Sequence, residues 1–283
     1  MTVFLQSSRM PEGMEIQVRN RKFNLQEQLG EDWLDGDPFK TAFFNSMSMS
    51  FPVGEKSFID SVRAYSDKID DPKLKKEMSG FFGQEGMHRR EHQKYNESLC
   101  EQRGYDLDKL ESRWIKRVGQ LNKRGKKIIV LGGTVAAEHF TAILAERLLL
   151  GWDLDGMSKE MKELWLWHAG EELEHKSVAF DVYQQVGGTL GLRKFMLRIF
   201  TYHFFVDLLS CTFSMLRHDK QLWKWTTFKS GWKFMFGKKG FIRELWPQYK
   251  MFYKADFHPW NHDNSYLLNS PLLDESQGLE KPA

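Results

Sequence analysis

Two cysteines in 283 residues, Cys100 and Cys211, cannot form a disulfide framework. Without paired spacing or a companion histidine pattern, they also give no support to a zinc knuckle or an iron–sulfur cluster. This scarcity fits a reducing compartment. No Gly-rich nucleotide fingerprint occurs, so the chain is not expected to carry its own flavin or nicotinamide. Short alternating runs bounded by Asn-Gly or Asp-Gly turns are missing, which leaves β-hairpins without support. The opening MTVFLQSSRMPEG lacks the basic start and apolar run of a secretory signal, so the expected location is cytoplasmic. Repeats and low-complexity tracts are also absent.

What is present is helical. Apolar residues make up 41% of the chain and recur at three- and four-residue steps over long windows. We expect an all-α protein with one domain over 1–283: a metal-binding helix-bundle core in 38–190 and a basic, aromatic helical extension in 191–260. Pro52 and Gly54 predict a helix start near Glu55, running to Lys68. Asp71 caps a second helix with Pro72 in its first turn, and Gly104 stops it. A third fills 126–150 and ends at Gly151; Ser158 caps a fourth that reaches Gly187-Gly188. Further helices are expected over 38–50 and 107–122.

Two of these segments carry Glu-x-x-His: Glu85 with His88, and Glu172 with His175. Positions i and i+3 share a helix face, so each pair can bind one metal ion or share a bridge. A lone pair of this kind is usually a solvated face. Here each follows a helix bearing one inward-capable glutamate, Glu55 or Glu138, with 30 residues from Glu55 to Glu85 and 34 from Glu138 to Glu172. That is the ligand arithmetic of ferritin-like di-iron carboxylate proteins, an antiparallel four-helix bundle here extended by N- and C-terminal helices. Four carboxylates offset two divalent ions, and oxygen ligands with few imidazoles suit iron or manganese, with zinc a further option. His168, four residues before Glu172, lies on the same face and is a candidate seventh ligand. His92 and His139 are read as structural, and Gln84 and Glu171 as groups that orient ligands on neighbouring helices.

Several segments resemble the bacterial family of predicted metal-dependent hydrolases over about residues 43–190. These are Met47-Ser48-x-x-Phe51-Pro52-x-Gly54-Glu55, Gln84-Glu85-x-x-His88-x-x-x-His92, Glu138-His139-Phe140-Thr141, and Trp167-His168-x-x-Glu171-Glu172-x-Glu174-His175 with the residues up to Tyr183. The family's fold is expected to be ferritin-like. The ligand pattern is also similar to that of the p-aminobenzoate N-oxygenase type of di-iron enzyme. That resemblance implies Glu55 and His88 on one iron, Glu138, His168 and His175 on the other, and Glu85 and Glu172 bridging.

The last third differs in character. Residues 191–254 hold thirteen Lys/Arg against Asp207, Asp219 and Glu244, a balance of +10 within a chain whose net charge is +3. The run 195–216 is long enough to cross a bilayer, but Arg198, His203 and Asp207 favour a buried helix lining a substrate channel. The tryptophans and lysines that follow favour peripheral contact with an anionic membrane over a homodimer face, and no motif supports nucleic acid. The expected function is a di-iron oxygenase or oxidase that uses O2 and a separate electron-donor protein on a small, hydrophobic organic substrate. The alternative is a dinuclear hydrolase using a metal-activated water; a non-catalytic iron-binding protein comes third.

Overall fold

The computed structural model describes residues 8–270 and 272–273; the start of the N-terminal stretch, residues 1–7, lies outside them. Nine α-helices and no strands occur among the described residues. Helix α1 (Pro38–Arg63) is capped by Asp37, whose carboxylate accepts from the Phe39 and Lys40 amides. It runs through Pro52, which corrects the expected break between 38–50 and 55–68 and merges the expected N-terminal helix into the bundle. Pro52 cannot donate to the Ser48 carbonyl four residues back. Asn96 Nδ2 supplies the missing donor at 3.1 Å.

Helix α2 (Pro72–Arg103) has the expected limits, Asp71 at its start and Gly104 at its end with φ +67°. Helix α3 (Leu107–Arg124) leads to α4 (Lys127–Leu149). Helix α5 (Lys159–His175) begins at the expected Ser158 cap but stops after His175, and α6 (Val178–Gln185) resumes beyond a turn. At that turn the C-terminal segment takes both side chains: Lys176 Nζ donates to Asn264 Oδ1 and the His262 carbonyl, and Trp260 Nε1 donates to Ser177 Oγ. Helices α7 (Leu190–His218), α8 (Trp225–Phe236) and α9 (Phe241–Met251) complete the α-helices.

Side-chain pairings give the direction of packing. Tyr95 donates to Asn45 while Ser48 pairs with His92, so α1 and α2 run antiparallel. Pairings of Gln84 with His175 and His92 with His168 make α2–α5 antiparallel as well, and Ser61 paired with Thr134 together with Glu55 beside Glu138 does the same for α1–α4. Helices α2 and α4 therefore point the same way, and α3 carries the chain from one end of the bundle to the other. One such crossover is the connectivity of ferritin-like bundles.

Two apolar clusters flank the four-helix centre. One contains Phe43, Phe44 and Trp165, the other Phe81, Val135 and Tyr183. Phe51, packed against the first, lies 4.7 Å from the His168 ring, and Phe81 of the second lies 5.0 Å from His175. The extended segment around Ile16–Val18 lies on α2 where Gly80 and Gly83 face it: a Cβ there would sit 2.7 Å from Ile16 and 2.4 Å from Val18. Helix α7 packs across α1 and α4. By length and composition α4 and α7 could each cross a bilayer, but 72% of the apolar window of α4 is buried against 39% for α7.

Candidate metal centre

Glu55 of α1, Glu85 and His88 of α2, Glu138 of α4, and His168, Glu172 and His175 of α5 are all buried and converge at mid-bundle. Three sets of their donor atoms lie within 4.8 Å of one another: Glu55, His88 and His168; Glu85, His88 and Glu172; Glu85, Glu138 and His175. His168 therefore groups with Glu55 and His88, not with Glu138 and His175 as the N-oxygenase resemblance implies. Its ring stacks on His88 at 4.1 Å, which fixes it on that side. Glu172 sits between the two sides. Its Oε1 is 3.0 Å from His168 Nε2 and 3.6 Å from His88 Nδ1, while Oε2 is 3.6 Å from His175 Nε2.

His175 and His168 are held by hydrogen bonds to their outer nitrogens. Gln84 Nε2 donates to Glu174 (2.6 Å) and to the Gln17 carbonyl, so its Oε1 faces His175 and the proton lies on His175 Nδ1, at 2.8 Å. His175 Nε2 is thereby free to point inward. His88 Nε2 lies 3.0 Å from Glu171 Oε2 without hydrogen-bond alignment, and its Nδ1 is turned toward Glu172. His168 Nδ1 meets His92 Nε2 at 2.8 Å, His92 Nδ1 meets Ser48 Oγ at 2.9 Å, and Ser48 donates to Asn96 Oδ1. A proton on each Nδ1 makes every link of this relay a donor pointing outward.

Gln84 thus occupies the orienting position expected of it, Glu171 stands beside His88, and His92 acts through His168. His139 is a packing residue between Phe252 and Phe257. Three supports escape sequence reasoning. Arg19 reaches across from the N-terminal segment to Glu174 (2.6 Å) and Glu171 (3.4 Å) with no local signal. Glu174 is legible only as part of the α5 motif. Thr141, which donates to Glu172 Oε2, carried a signal: it follows Glu138 by one turn on the same face.

The electrostatics are those of an uncompensated acidic cluster. Both oxygens of Glu55, Glu85 and Glu138, and Nε2 of His175, have no hydrogen-bond partner although buried. Burial, reinforced by the neighbouring carboxylates, pushes the carboxyls of Glu55 and Glu85 well above their ordinary range. Burial raises Glu138 to about 8. For Glu172 burial works in the same direction but is outweighed by His175 and His168, which hold it well below that range. Burial likewise opposes charge on His175, but Glu172 and Glu138 raise it to about 9. His88 and His92 are driven well below 6.5 by burial and by His168. Four carboxylates this deep are costly unless protonated or bound to cations. The orphaned oxygens and inward imidazole nitrogens fit a pair of divalent ions.

Beside the cluster lies a cavity of about 500 Å³ whose lining includes Phe51, Ala137, Phe140, Thr141, Met196 and Phe200. Thr141 joins cavity to cluster, because it lines the first and bonds to Glu172 of the second. Met196, Phe200 and Phe204 come from α7, so that helix does line a cavity next to the centre. A larger cleft of about 1070 Å³, lined by Asp35, Lys40 and Arg147 among others, contains none of the seven residues.

Neither the curated proteins nor the solved structures contain a match to this sequence. A family model described as "predicted metal-dependent hydrolase" matches residues 17–263, which spans the Arg19 clamp, all seven buried Glu and His residues, and helices α1 to α9. The chain belongs to the predicted metal-dependent hydrolase family.

Proposed function

We propose that Glu55, Glu85, His88, Glu138, His168, Glu172 and His175 bind two metal ions, and that this centre hydrolyses a hydrophobic substrate held in the adjoining cavity. The observation that carries the reading is the set of orphaned carboxylate oxygens facing an apolar cavity across Thr141. In the proposed arrangement Glu55, His88 and His168 serve one ion and Glu138 and His175 the other, with Glu85 and Glu172 between them, following the three donor groups. Metal bound there would polarise a carbonyl and acidify a water. Gln84 and His92 keep His175 and His168 in the tautomer that offers a lone pair inward. Phe51, Phe140 and Phe200 hold the apolar body of the substrate and exclude bulk water. Thr141 fixes one oxygen of Glu172 and stands at the boundary where a reacting group would arrive.

A second reading, oxidation of the same substrate class with O2 at a di-iron centre, is favoured by one observation. A carboxylate placed between two imidazole-bearing half-sites in a one-crossover bundle is the layout of di-iron carboxylate proteins. It requires electrons from a separate protein.

The test begins with metal analysis of the purified chain. Preparations loaded with zinc, manganese or anaerobic Fe(II) are then assayed for cleavage of acyl esters of increasing chain length and for O2 uptake. Ester cleavage that rises with chain length and disappears in Glu172→Ala supports hydrolysis. O2 consumption by the iron form without ester cleavage selects the second reading, and failure to retain about two ions per chain overturns both.

A further inference from the structure

Helices α7 and α8 turn an apolar face outward that no described element covers. Along α7, Phe195, Ile199, Tyr202 and Phe213 are exposed, with Val206 and Leu209 partly buried between them. Steps of three and four residues place all six on one stripe. This stripe accounts for the low burial of an otherwise apolar helix. Helix α8 seats its inner face on α1, where Gly231 lies against the ring of Phe39. Its outer face carries Trp225, Phe228, Trp232 and Phe236, a ladder of rings with successive centroids 5.3, 6.5 and 4.7 Å apart. Trp223, just before the helix, is 91% exposed. The two stripes adjoin, because Leu209 and Phe213 of α7 and Trp225, Phe228 and Trp232 of α8 line one groove of about 610 Å³.

Cationic side chains border this face, three of which, Lys233, Lys238 and Lys239, also line the neighbouring cleft with Asp35, Asp37, Asp153, Asp155 and Glu244. Lys224, Lys229, Lys233, Lys238 and Lys239 are exposed, residues 224–239 contain no Asp or Glu, and none of the five lysines forms an ion pair among the described residues. We infer that this face docks on an anionic lipid bilayer, with the tryptophans and phenylalanines at the boundary between headgroups and acyl chains and the lysines on the lipid headgroups. Interfacial segments combine these two features because rings gain from leaving water while ammonium groups gain from staying beside phosphate. A second copy of the chain is a poorer occupant, since a symmetric contact would bring two sets of five lysines together. A nucleic acid is also a poorer occupant, because the α8 rings lie against one another instead of standing apart to receive bases. Ile199 belongs both to the outward stripe and to the lining of the cavity beside the metal centre. Entry of substrate from the lipid at this point rests on the proposed function, whereas docking itself does not.

The experiment is co-sedimentation of the full chain with vesicles of phosphatidylcholine, alone or mixed with phosphatidylglycerol. Expected at low salt are binding to the mixed vesicles only, quenching of tryptophan emission by brominated lipid, and release at high salt. Replacing Lys224, Lys229 and Lys233 together by Gln weakens binding by about a hundredfold, roughly tenfold or less per charge. Replacing Trp225, Phe228 and Trp232 together by Ala weakens it at least as much and removes the quenching. If the aromatic variant loses its helical circular dichroism, the lysine variant decides, since its side chains are in solvent. Absence of binding at low salt, or binding that the lysine variant leaves unchanged, overturns the inference. A stable dimer by light scattering that the aromatic variant dissociates also overturns it and assigns the face to a second copy. Glu172→Ala retains vesicle binding, so failure of the metal reading and failure of the docking reading are distinguishable.

Discussion

Two imidazoles of the centre, His168 and His175, offer one nitrogen inward because the other is hydrogen-bonded, and this makes the supporting residues testable one at a time. Gln84→Leu removes the acceptor for His175 Nδ1–H and the donor to Glu174. Metal affinity in a chelator competition is expected to fall ten- to a hundredfold, roughly the usual effect of losing a group that orients a ligand; affinity equal to wild type would count against the orienting role. His168→Ala is expected to lower the metal content from about two ions per chain toward about one, since His168 stands with Glu55 and His88 on one side only. Elemental analysis reads this directly, and an unchanged ratio would remove His168 from the ligand set. The seven residues were legible because helical spacing is a local property: i and i+3 share a face wherever the helix lies. Which glutamate joins which histidine was not, because that depends on the relative height of different helices. The stacking of His168 on His88 is a contact between α5 and α2 that no spacing within α5 encodes.

At the scale of elements the same division holds. Asp71, Pro72 and Gly104 delimit α2 by their own backbone chemistry, and the structure agrees with the sequence there. Pro52 was read as a helix start because its missing N–H ordinarily leaves a carbonyl unpaired. The partner that satisfies the Ser48 carbonyl, Asn96, lies 48 positions further on. The stop after His175 depends likewise on Asn264, His262 and Trp260, far along the chain. Asn96→Leu should therefore destabilise the protein by about 1–3 kcal/mol in urea unfolding, since it leaves the Ser48 carbonyl without its donor and the Ser48 hydroxyl proton without its acceptor. A loss within error would show that water or a bend in α1 compensates. The N-terminal segment depends on α2 in a similar way. Gly83→Leu is expected to lift Val18 and its neighbours and expose the Arg19–Arg21 stretch to trypsin, with cleavage there faster than in wild type.

For the whole molecule, the acidic cluster predicts how metal and pH act together. A carboxyl raised to about 8, as in Glu138, keeps its proton longer in the folded than in the unfolded chain, so stability falls as pH rises from 4.5 through about 8. His175, raised to about 9, contributes stability that is fully present below 6.5 and lost as pH rises through about 9. His88 and His92 act in the opposite sense, because only the unfolded chain protonates them readily, and they lower stability as pH falls below 6.5. Between pH 6.5 and about 9 the metal-free protein should therefore melt at progressively lower temperature. Metal-loaded protein should hold a nearly constant melting temperature across the same range, above that of the chelated form. Free metal at a hundredfold over its Kd adds about 2.7 kcal/mol per site. Parallel melting curves with and without chelator would show that no metal offsets the cluster.

Asn96 has two roles at once: its amide nitrogen repairs the backbone at Pro52, and its carbonyl ends the relay that begins at His168. Substitutions at 52 and 96 are therefore epistatic. Pro52→Ala restores the donor to the Ser48 carbonyl and relieves Asn96 of the first role, so a change at 96 that is severe in the parent becomes milder afterwards, and a double-mutant cycle should show a coupling of about 1 kcal/mol. In a lineage drifting away from this pair, loss of the proline is the permissive step and must come first. The reverse order passes through a chain with an unpaired carbonyl in the helix that carries Glu55 and a histidine relay cut at its end.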